Sequence, residues 1–251
     1  MKVADRIILE EKSYKTVYRE GNVIVKEFTA SHPKSNVFNE AYIHACVEDA
    51  GVPVSKLLGV SPLNGGWAIA LEYVEGKTLQ ELMDEHPEKA DEYLDKLVEI
   101  QLETGAYRVR NLRNTRVKME DAIKTLTEID ASTRYELLQR IHGMPQHSKL
   151  CHGDLVPSNI IIKEDGSYRI LDWAHASAGN AGADAAITYL RFSLNAPELA
   201  DKYLRLFCKK ADMPIQYIQK WMPVVAAAQM TKHRESERPL LEKWISVAEY
   251  Q

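Results

Sequence analysis

The sequence predicts an α+β protein, with a small antiparallel β-sheet and one helix in residues 1–75 and a mainly helical part in residues 76–251. Two observations predict this. Short segments rich in β-branched and aromatic residues, separated by Gly, Asn, Pro and Ser, fill most of the first 72 residues. From Gly76 onward, apolar residues recur at three- and four-residue spacing, which is typical of amphipathic helices.

The first part is predicted to contain one helix among its strands. The helix begins near Ser35 or Asn36, either of which can cap it, and it ends at Gly51, with Pro53 just beyond. The predicted strands cover residues 7–9, 16–18, 23–28, 56–60 and 67–72. The predicted helices of the second part cover residues 78–84, 90–103, 120–126, 134–141, 183–194, 197–211, 215–232 and 239–248.

The composition excludes several classes of protein. Among 251 residues, 45% are hydrophobic and 27% are charged, as in an ordinary globular protein. A net charge of −4 gives no basic surface for nucleic acid, and no apolar run approaches the roughly 18 residues of a membrane helix. The N-terminus lacks the pattern of a signal peptide. Three cysteines at unpatterned spacing favour a reducing cytoplasm, and the oligomeric state is left open.

The stretch from His152 to Trp173 predicts a metal-binding hairpin. Asp165-Gly166 is a strong hairpin signal between two strand-like segments, residues 160–163 and 168–171. If these two residues form the turn, Asn159 lies opposite Asp172, where Cβ atoms are about 4.5–5.5 Å apart. An amide oxygen and a carboxylate so placed predict a site for a hard cation such as Mg²⁺.

Asp154 is predicted to act separately from this metal pair. It lies five residues before Asn159, in a loop that Pro157 keeps from joining a helix or strand. In that position it can accept and orient the hydroxyl group of a substrate.

The pattern His-Gly-Asp, four residues, Asn, then a hairpin ending in Leu-Asp-Trp resembles the signature of the aminoglycoside phosphotransferases and choline kinases. The resemblance implies a bilobal protein kinase-like fold and a catalytic role for Asp154, with Asn159 and Asp172 as ligands of Mg²⁺. It also implies a structural role for His152. Asp184, before a later helix, is interpreted as an N-cap or loop anchor.

The resemblance makes three demands on the first part of the chain. A strand lysine should bind the ATP phosphates, and Lys26 in Val-Ile-Val-Lys fits; Glu40, on the following helix, should hold it. A hairpin should cover the phosphates: with Arg19 facing Asn22, Lys15 would lie opposite Lys26. Three further residues are predicted to contact the nucleotide: Ser13 as a phosphate donor, and Glu72 and Val74 through their backbone groups at the adenine edge.

The predicted function is transfer of the γ-phosphoryl group of ATP to a hydroxyl of a small molecule. A nucleotide-binding module without catalysis is the alternative of another class, and choline, a sugar or another metabolite alcohol remains open as acceptor. Acidic residues suited to an aminoglycoside, Glu235, Glu237 and Glu242, are interleaved with basic residues. An aromatic cage for choline has four candidate members: Trp173, Trp221, Trp244 and Tyr250.

Overall fold

The computed structural model describes residues 6–246. Tyr250 and the end of the helix predicted over 239–248 lie outside the described residues. The contacts divide the chain into two units. The first runs to Glu85 and also contains Pro157–His175, while the second consists of His86–Val156 and the chain from Ala176 onward. The predicted boundary after residue 75 stays a prediction.

The first unit contains a five-stranded antiparallel sheet with strand order β1-β2-β3-β5-β4. Its strands are β1 (Arg6–Lys12), β2 (Lys15–Glu20), β3 (Val23–Phe28), β4 (Leu57–Leu63) and β5 (Gly66–Glu72). All five lie where the sequence predicts strands, because each is a short β-branched or aromatic segment between turn residues.

The turn between β2 and β3 lies one residue later in the chain than predicted. Glu20 faces Val23, so Gly21 and Asn22 form the turn. Gly21 has φ +60°, which suits the first central position of a type II′ turn, where glycine is preferred. Lys15 therefore faces Phe28, and Val17 faces Lys26; the predicted pairing of Lys15 with Lys26 is wrong.

Helix α1 (Lys34–Asp49) packs on this sheet. Its N-cap is Pro33, two residues before Ser35, the first of the two predicted caps, and Gly51 lies just beyond its C-terminal end with φ +78°. Val37 and Ala41 of α1 form a buried core with three sheet residues, Phe28, Ile69 and Leu71. This packing fixes the helix against β3, the strand that carries Lys26.

A three-stranded sheet completes the first unit, made of β6 (Lys77–Thr78), β8 (Ile160–Ile162) and β9 (Tyr168–Ile170), in the order β6-β8-β9. Helix α2 (Leu79–Glu85) follows β6. Because β6 pairs with β8, the hairpin of residues 157–175 belongs to the unit that holds the N-terminal sheet.

The register of the β8–β9 hairpin corrects the prediction. Ile160 faces Ile170, and Lys163 N–H donates to the Ser167 carbonyl, so the loop contains three residues and not two. Gly166 ends this loop with φ +79°, as in a type I turn followed by a left-handed residue. Asn159 therefore lies opposite Leu171, whose N–H donates to the Asn159 carbonyl at 2.8 Å, and its predicted pairing with Asp172 is wrong.

The second unit is mainly helical. Its helices are α3 (Ala90–Thr104), α4 (Thr115–Thr125), α5 (Ala131–Gly143), α6 (Ala181–Asn195), α7 (Pro197–Ala211), α8 (Ile215–Gln219), α9 (Met222–Met230) and α10 (Arg238–Ser246). Two short strands, β7 (Lys149–Cys151) and β10 (Ser177–Gly179), pair with each other. These two strands were not predicted, because three residues give no periodicity to detect.

The single helix predicted over residues 215–232 is two helices. The first helix ends at Gln219 and the second begins at Met222, with Pro223 in the first turn of α9. Proline is tolerated in the first turn because the first N–H groups of a helix have no hydrogen-bond partner within it. In the interior of a single helix over 215–232, Pro223 would instead have removed a backbone hydrogen bond.

The α+β prediction is confirmed: an antiparallel sheet with one packed helix comes first, and helices dominate the rest. Within residues 6–246, no helix combines the length and apolar character needed to cross a membrane.

Candidate active site

Lys26 is the centre of a buried ion-pair network in the first unit. Its Nζ donates to Glu40 Oε1 at 2.6 Å and to Asp172 Oδ1 at 2.8 Å. The Lys26 side chain is 10% exposed, against 16% for Glu40 and 33% for Asp172. The predicted pairing of Lys26 with Glu40 is confirmed, and the contact with Asp172 brings the end of the hairpin to the same lysine.

Electrostatics keep Lys26 charged. Burial alone would lower the pKa of Lys26, but the carboxylates of Asp172 and Glu40 outweigh it and hold this pKa well above its usual value. We call Lys26, Glu40 and Asp172 the Lys26 cluster. It contains one cation between two carboxylates, so it retains net negative charge that a bound cation can neutralise.

His44 of α1 lies beside this cluster in its neutral form. Its Nε2 lies 2.7 Å from the Ser55 carbonyl, and it lines a very small cavity together with Lys26 and Glu40. Burial lowers the pKa of His44, and the nearby Lys26 cation lowers it further against the opposing hydrogen bond to Ser55. A second cation is thus disfavoured next to Lys26.

A cavity of about 520 Å³ lies within the first unit and is lined by most of the residues predicted to bind nucleotide or metal. Lys15, Lys26, Glu72, Val74, Asn159 and Asp172 all line it. Apolar walls come from the sheet and the hairpin, namely Leu9, Val17, Ile24, Leu71, Ile161 and Leu171. Apolar walls with a few charged groups at one side are typical of a pocket for a small ligand.

Lys15 and Ser13 have different positions although they are neighbours in sequence. Lys15 is buried, lines the cavity and pairs with Glu10 at 3.2 Å. Ser13 is exposed, in the turn between β1 and β2, and is not among the residues that line the cavity. Glu10, which the sequence did not single out, also lines the cavity.

The segment after β5 is held by backbone hydrogen bonds. Glu72 N–H donates to the Lys56 carbonyl and Tyr73 N–H donates to the Asn22 carbonyl, each at 2.9 Å. Glu72, Tyr73 and Val74 all line the cavity. The backbone contacts predicted for Glu72 and Val74 thus involve residues at the wall of this pocket.

Asn159 and Asp172 reach the same cavity although they do not face each other in the hairpin. Asn159 ends a short 3₁₀ helix, Pro157–Asn159. Asp172 has φ +57°, the left-handed conformation, which is uncommon for a residue other than glycine. Because this conformation interrupts the strand alternation, Asp172 can lie on the cavity side despite the shifted register.

The donor set of this pair fits a hard cation. An amide oxygen and a carboxylate are ligands that Mg²⁺ accepts, with waters and substrate phosphates completing its shell. No group of three or more His, Cys, Asp or Glu that could hold a metal occurs in the part of the chain that the structure describes.

Asp154 lies in the second unit, in a loop held by residues around it. His152 is fully buried, and its Nδ1 accepts a hydrogen bond from Asp154 N–H at 3.2 Å. Asp184 Oδ1 accepts from Gly153 N–H at 2.7 Å, and Thr188 donates to the Leu155 carbonyl at 3.1 Å. The structural role predicted for His152 fits this burial.

Asp184 is a loop anchor and not an N-cap. The N-cap of α6 is Asn180, whose side chain accepts from Gly182 N–H. Asp184 lies inside the first turn, where its second carboxylate oxygen accepts from Gln101 at 3.2 Å.

Arg191 is the residue of this region that the sequence analysis missed. Its Nε donates to Asp154 Oδ1 at 2.6 Å, with the Arg191 side chain 10% exposed and that of Asp154 20% exposed. Asp184, Thr188 and Arg191 recur at helical spacing on one face of α6, and all three bind the loop around Asp154. This helical spacing from Asp184 is the feature of the sequence from which Arg191 could have been predicted.

A second cavity, of about 380 Å³, lies within the second unit. Four acids, Glu128, Asp130, Glu136 and Glu242, are among its lining residues. Glu128 binds His233 at 2.8 Å, Glu242 binds Arg238 at 2.7 Å, and Asp130 caps α5. Arg238 thus balances the charge of Glu242, and Arg140 also lines this cavity.

Similar proteins were found by family and by structure. A model of the phosphotransferase enzyme family (APH) matches residues 9–215. No curated protein matches the sequence.

Three of the similar solved structures share this chain's fold at low identity. A thermostable mutant of aminoglycoside phosphotransferase APH(4)-Ia, in a ternary complex with ADP and hygromycin B, is 14% identical, with a TM-score of 0.73 over 98% of this chain and 93% of that one. Choline kinase LicA from Streptococcus pneumoniae is 17% identical, with a TM-score of 0.67 over 98% and 95%. An aminoglycoside-3'-phosphotransferase of type VIII is 15% identical, with a TM-score of 0.66 over 92% and 94%.

The family match covers most of the chain, and the site contains the charged residues that the signature requires. The chain therefore belongs to the phosphotransferase enzyme family, which confirms the prediction of a phosphotransferase.

Proposed function

We propose that the protein transfers the γ-phosphoryl group of ATP, in the presence of Mg²⁺, to a hydroxyl group of a small molecule, with Asp154 as the base. The observation that carries this proposal is the Lys26 cluster at the wall of a cavity that Asn159 also lines. A buried lysine between two carboxylates is suited to bind phosphate oxygens, because its charge is maintained and its position is fixed.

The nucleotide would occupy the cavity of the first unit. Lys26, held by Glu40, would bind the phosphates, and Lys15 would add a second buried cation on the same face of the sheet. The backbone of Glu72 and Val74 would bind the adenine edge between the apolar walls. Ser13 lies outside the cavity lining, so its phosphate contact stays a prediction from sequence.

Asn159 and Asp172 would hold Mg²⁺. When bound, the metal neutralises charge on the phosphates during transfer. Asp172 carries both a metal-ligand role and a hydrogen bond from Lys26, so this one carboxylate links the phosphate-binding lysine to the metal position.

Asp154 would act on the acceptor. The substrate oxygen forms a bond to the γ-phosphorus, the bond to the bridging oxygen breaks with its electron pair leaving on ADP, and Asp154 takes the hydroxyl proton. His152, Asp184 and Thr188 hold the loop that presents this carboxylate.

The cytoplasmic location is also part of the proposal. Cys46, Cys151 and Cys208 are free thiols, which suits a reducing compartment.

The test is an ATP-consumption screen across alcohols, comparing wild type with Asp154→Ala. We expect Asp154→Ala to lose roughly 10²–10⁴ in kcat while it still binds nucleotide, since general bases contribute about that much. Asp49→Ala, at an exposed aspartate that ends α1, is the control and should keep full activity. Wild-type turnover by Asp154→Ala would exclude Asp154 as the base, and nucleotide binding without turnover of any acceptor would favour the regulatory module.

A further inference from the structure

A buried polar network in the second unit ends at the loop that carries Asp154. Asp184 and Thr188 of α6 hold this loop on both sides of Asp154, at the Gly153 N–H and at the Leu155 carbonyl. The position of the Asp154 carboxylate therefore depends on where these two α6 side chains lie and on which of their atoms accept or donate.

Gln101 of α3 joins the two α6 side chains. Its Nε2 donates to Asp184 Oδ2 and to Thr188 Oγ1, at 3.2 Å in each case. Tyr203 of α7 donates its hydroxyl proton to Gln101 Oε1 at 2.6 Å. All four residues are buried, at 4% exposed or less. Because bulk water does not reach them, a hydrogen bond lost in this network leaves a buried polar group unpaired.

Tyr203 fixes the direction of the hydrogen bonds in the network. Burial and the nearby Asp184 carboxylate raise the pKa of Tyr203 well above its ordinary value, so its hydroxyl keeps the proton that it donates to Gln101 Oε1. The Gln101 Nε2 is then directed at Asp184 and Thr188. Thr188 accepts from Gln101 and donates its own proton to the Leu155 carbonyl. Each hydrogen bond thus sets the direction of the next one, as far as the loop.

The two residues that begin this chain of hydrogen bonds are remote from the ligands. Neither Gln101 nor Tyr203 lines the cavity of the first unit, and both are too buried to touch an acceptor. Their connection to the reaction runs through the loop contacts at Gly153 and Leu155.

We propose that Gln101 and Tyr203 are positioning residues of the phosphotransfer reaction, which set the place of the Asp154 carboxylate through Asp184 and Thr188. This inference rests on the proposed function, because it needs Asp154 as the base. A misplacement of a reacting group by about 1 Å can lower the rate about 10²-fold, so a remote hydrogen-bond network can determine kcat.

Amide hydrogen exchange tests the hold on the loop without any knowledge of the acceptor. Mass spectrometry follows the peptide that contains residues 151–156 in the free enzyme. We expect this peptide to exchange about tenfold faster in Gln101→Met and in Tyr203→Phe than in wild type, the effect of one lost hydrogen bond. Tyr189→Phe is the matched control, because its hydroxyl joins α6 to α7 through Asp201 at 3.1 Å and does not contact the loop. It should exchange as wild type does.

Turnover separates a positioning role from a purely structural one. ATP consumption is measured with the best acceptor of the screen above and with water alone as the acceptor, on variants that circular dichroism shows to be folded. We expect kcat to fall about 10- to 10²-fold in Gln101→Met and about three- to tenfold in Tyr203→Phe, with the KM for ATP unchanged. In the Asp154→Ala background, Gln101→Met should lower kcat no further, because the group that it positions is already absent.

Four results would overturn the inference: wild-type exchange of the 151–156 peptide in both variants, wild-type kcat in folded Gln101→Met, an equal fall of kcat in Tyr189→Phe, or a further fall when Gln101→Met is added to Asp154→Ala. Where Gln101→Met does not fold, the exchange and kcat of Tyr203→Phe, which keeps the ring, decide instead. Each result leaves the phosphotransferase activity standing. Failure of that activity has a different signature, which is full turnover by Asp154→Ala.

Discussion

The first unit places one cation, Lys26, between two carboxylates, whereas the second unit pairs each of two carboxylates, Asp154 and Glu237, with an arginine. The Lys26 cluster is net negative, and we propose that it binds Mg²⁺ together with the phosphates. In the second unit, Arg191 balances Asp154 and Arg234 balances Glu237, so these four side chains carry no net charge. The two regions thus differ in charge balance: the Lys26 cluster keeps one negative charge that a bound cation can neutralise, whereas the charge of Asp154 is already compensated by Arg191.

The buried lysine provides the strongest test of this contrast. Lys26→Met removes the only cation between Glu40 and Asp172 in the Lys26 cluster, so we expect a loss of about 10²–10³ in kcat, the scale for one fixed donor to developing charge. Steady-state kinetics with saturating ATP measure the loss. Lys56→Met, at an exposed lysine of the same unit, should not reduce kcat.

Two carboxylates left without their cation can also destabilise the fold, so circular dichroism and thermal unfolding should accompany those kinetics. In Lys26→Met/Glu40→Gln, one of the two charges is removed, and folding should recover while activity does not. Wild-type kcat in folded Lys26→Met would show that the Lys26 cluster does not bind the transferred phosphate.

In the second unit, replacement of Arg191 should reduce kcat less than replacement of Lys26 does. Arg191→Met leaves Asp154 in place but removes the donor that orients it, so we expect kcat to fall about 10- to 10²-fold, as for a small misplacement of a reacting group. The KM for ATP should stay unchanged, since neither Arg191 nor Asp154 lines the nucleotide cavity.

A purely structural role for Arg191 would lower stability without this selective fall in kcat. Arg191→Lys, which keeps the charge, should recover part of the rate. Arg205→Met, at an exposed arginine of α7, is the control for the loss of one surface cation.

The smallest expected effect concerns His44 and is a change in the pH dependence of folding stability, not in the reaction rate. Its pKa is lowered in the folded protein, so the unfolded chain binds the proton more readily. The stability that comes from neutral His44 is therefore complete above the unfolded pKa of about 6.5 and decreases as the pH falls below it.

Urea unfolding at about pH 8 and about pH 5.5 measures this dependence. His44→Gln should show a smaller decrease in midpoint between these conditions than wild type, because it has no proton to bind. His147→Gln, at an exposed histidine, should keep the wild-type decrease. An unchanged dependence in His44→Gln would mean that His44 does not exclude a second cation near Lys26.

The two hairpins show which predictions survive an error in register. In the β2–β3 hairpin the predicted partner of Lys26 was wrong by two residues, Lys15 in place of Val17. Because side chains alternate with a period of two, Lys15 keeps the same face of the sheet as Lys26, and both line the cavity. In the β8–β9 hairpin the error was one residue, which should move Asp172 to the other face. The left-handed conformation of Asp172 offsets it, and no sequence pattern predicted that conformation.

The sequence by itself determined the α+β fold, through local periodicity, and the family signature from His152 to Trp173, which is a compact motif. The pairing of Lys26 with Glu40 was implied by the resemblance that this signature carries. Only the tertiary structure decided the hairpin registers, the conformation of Asp172, the contact of Lys26 with Asp172 and that of Arg191 with Asp154. Turn length depends on the balance between turn types that the same Asp-Gly pair can serve. Contacts between residues far apart in sequence depend on how helices and strands pack, and one chain's periodicity does not contain that information.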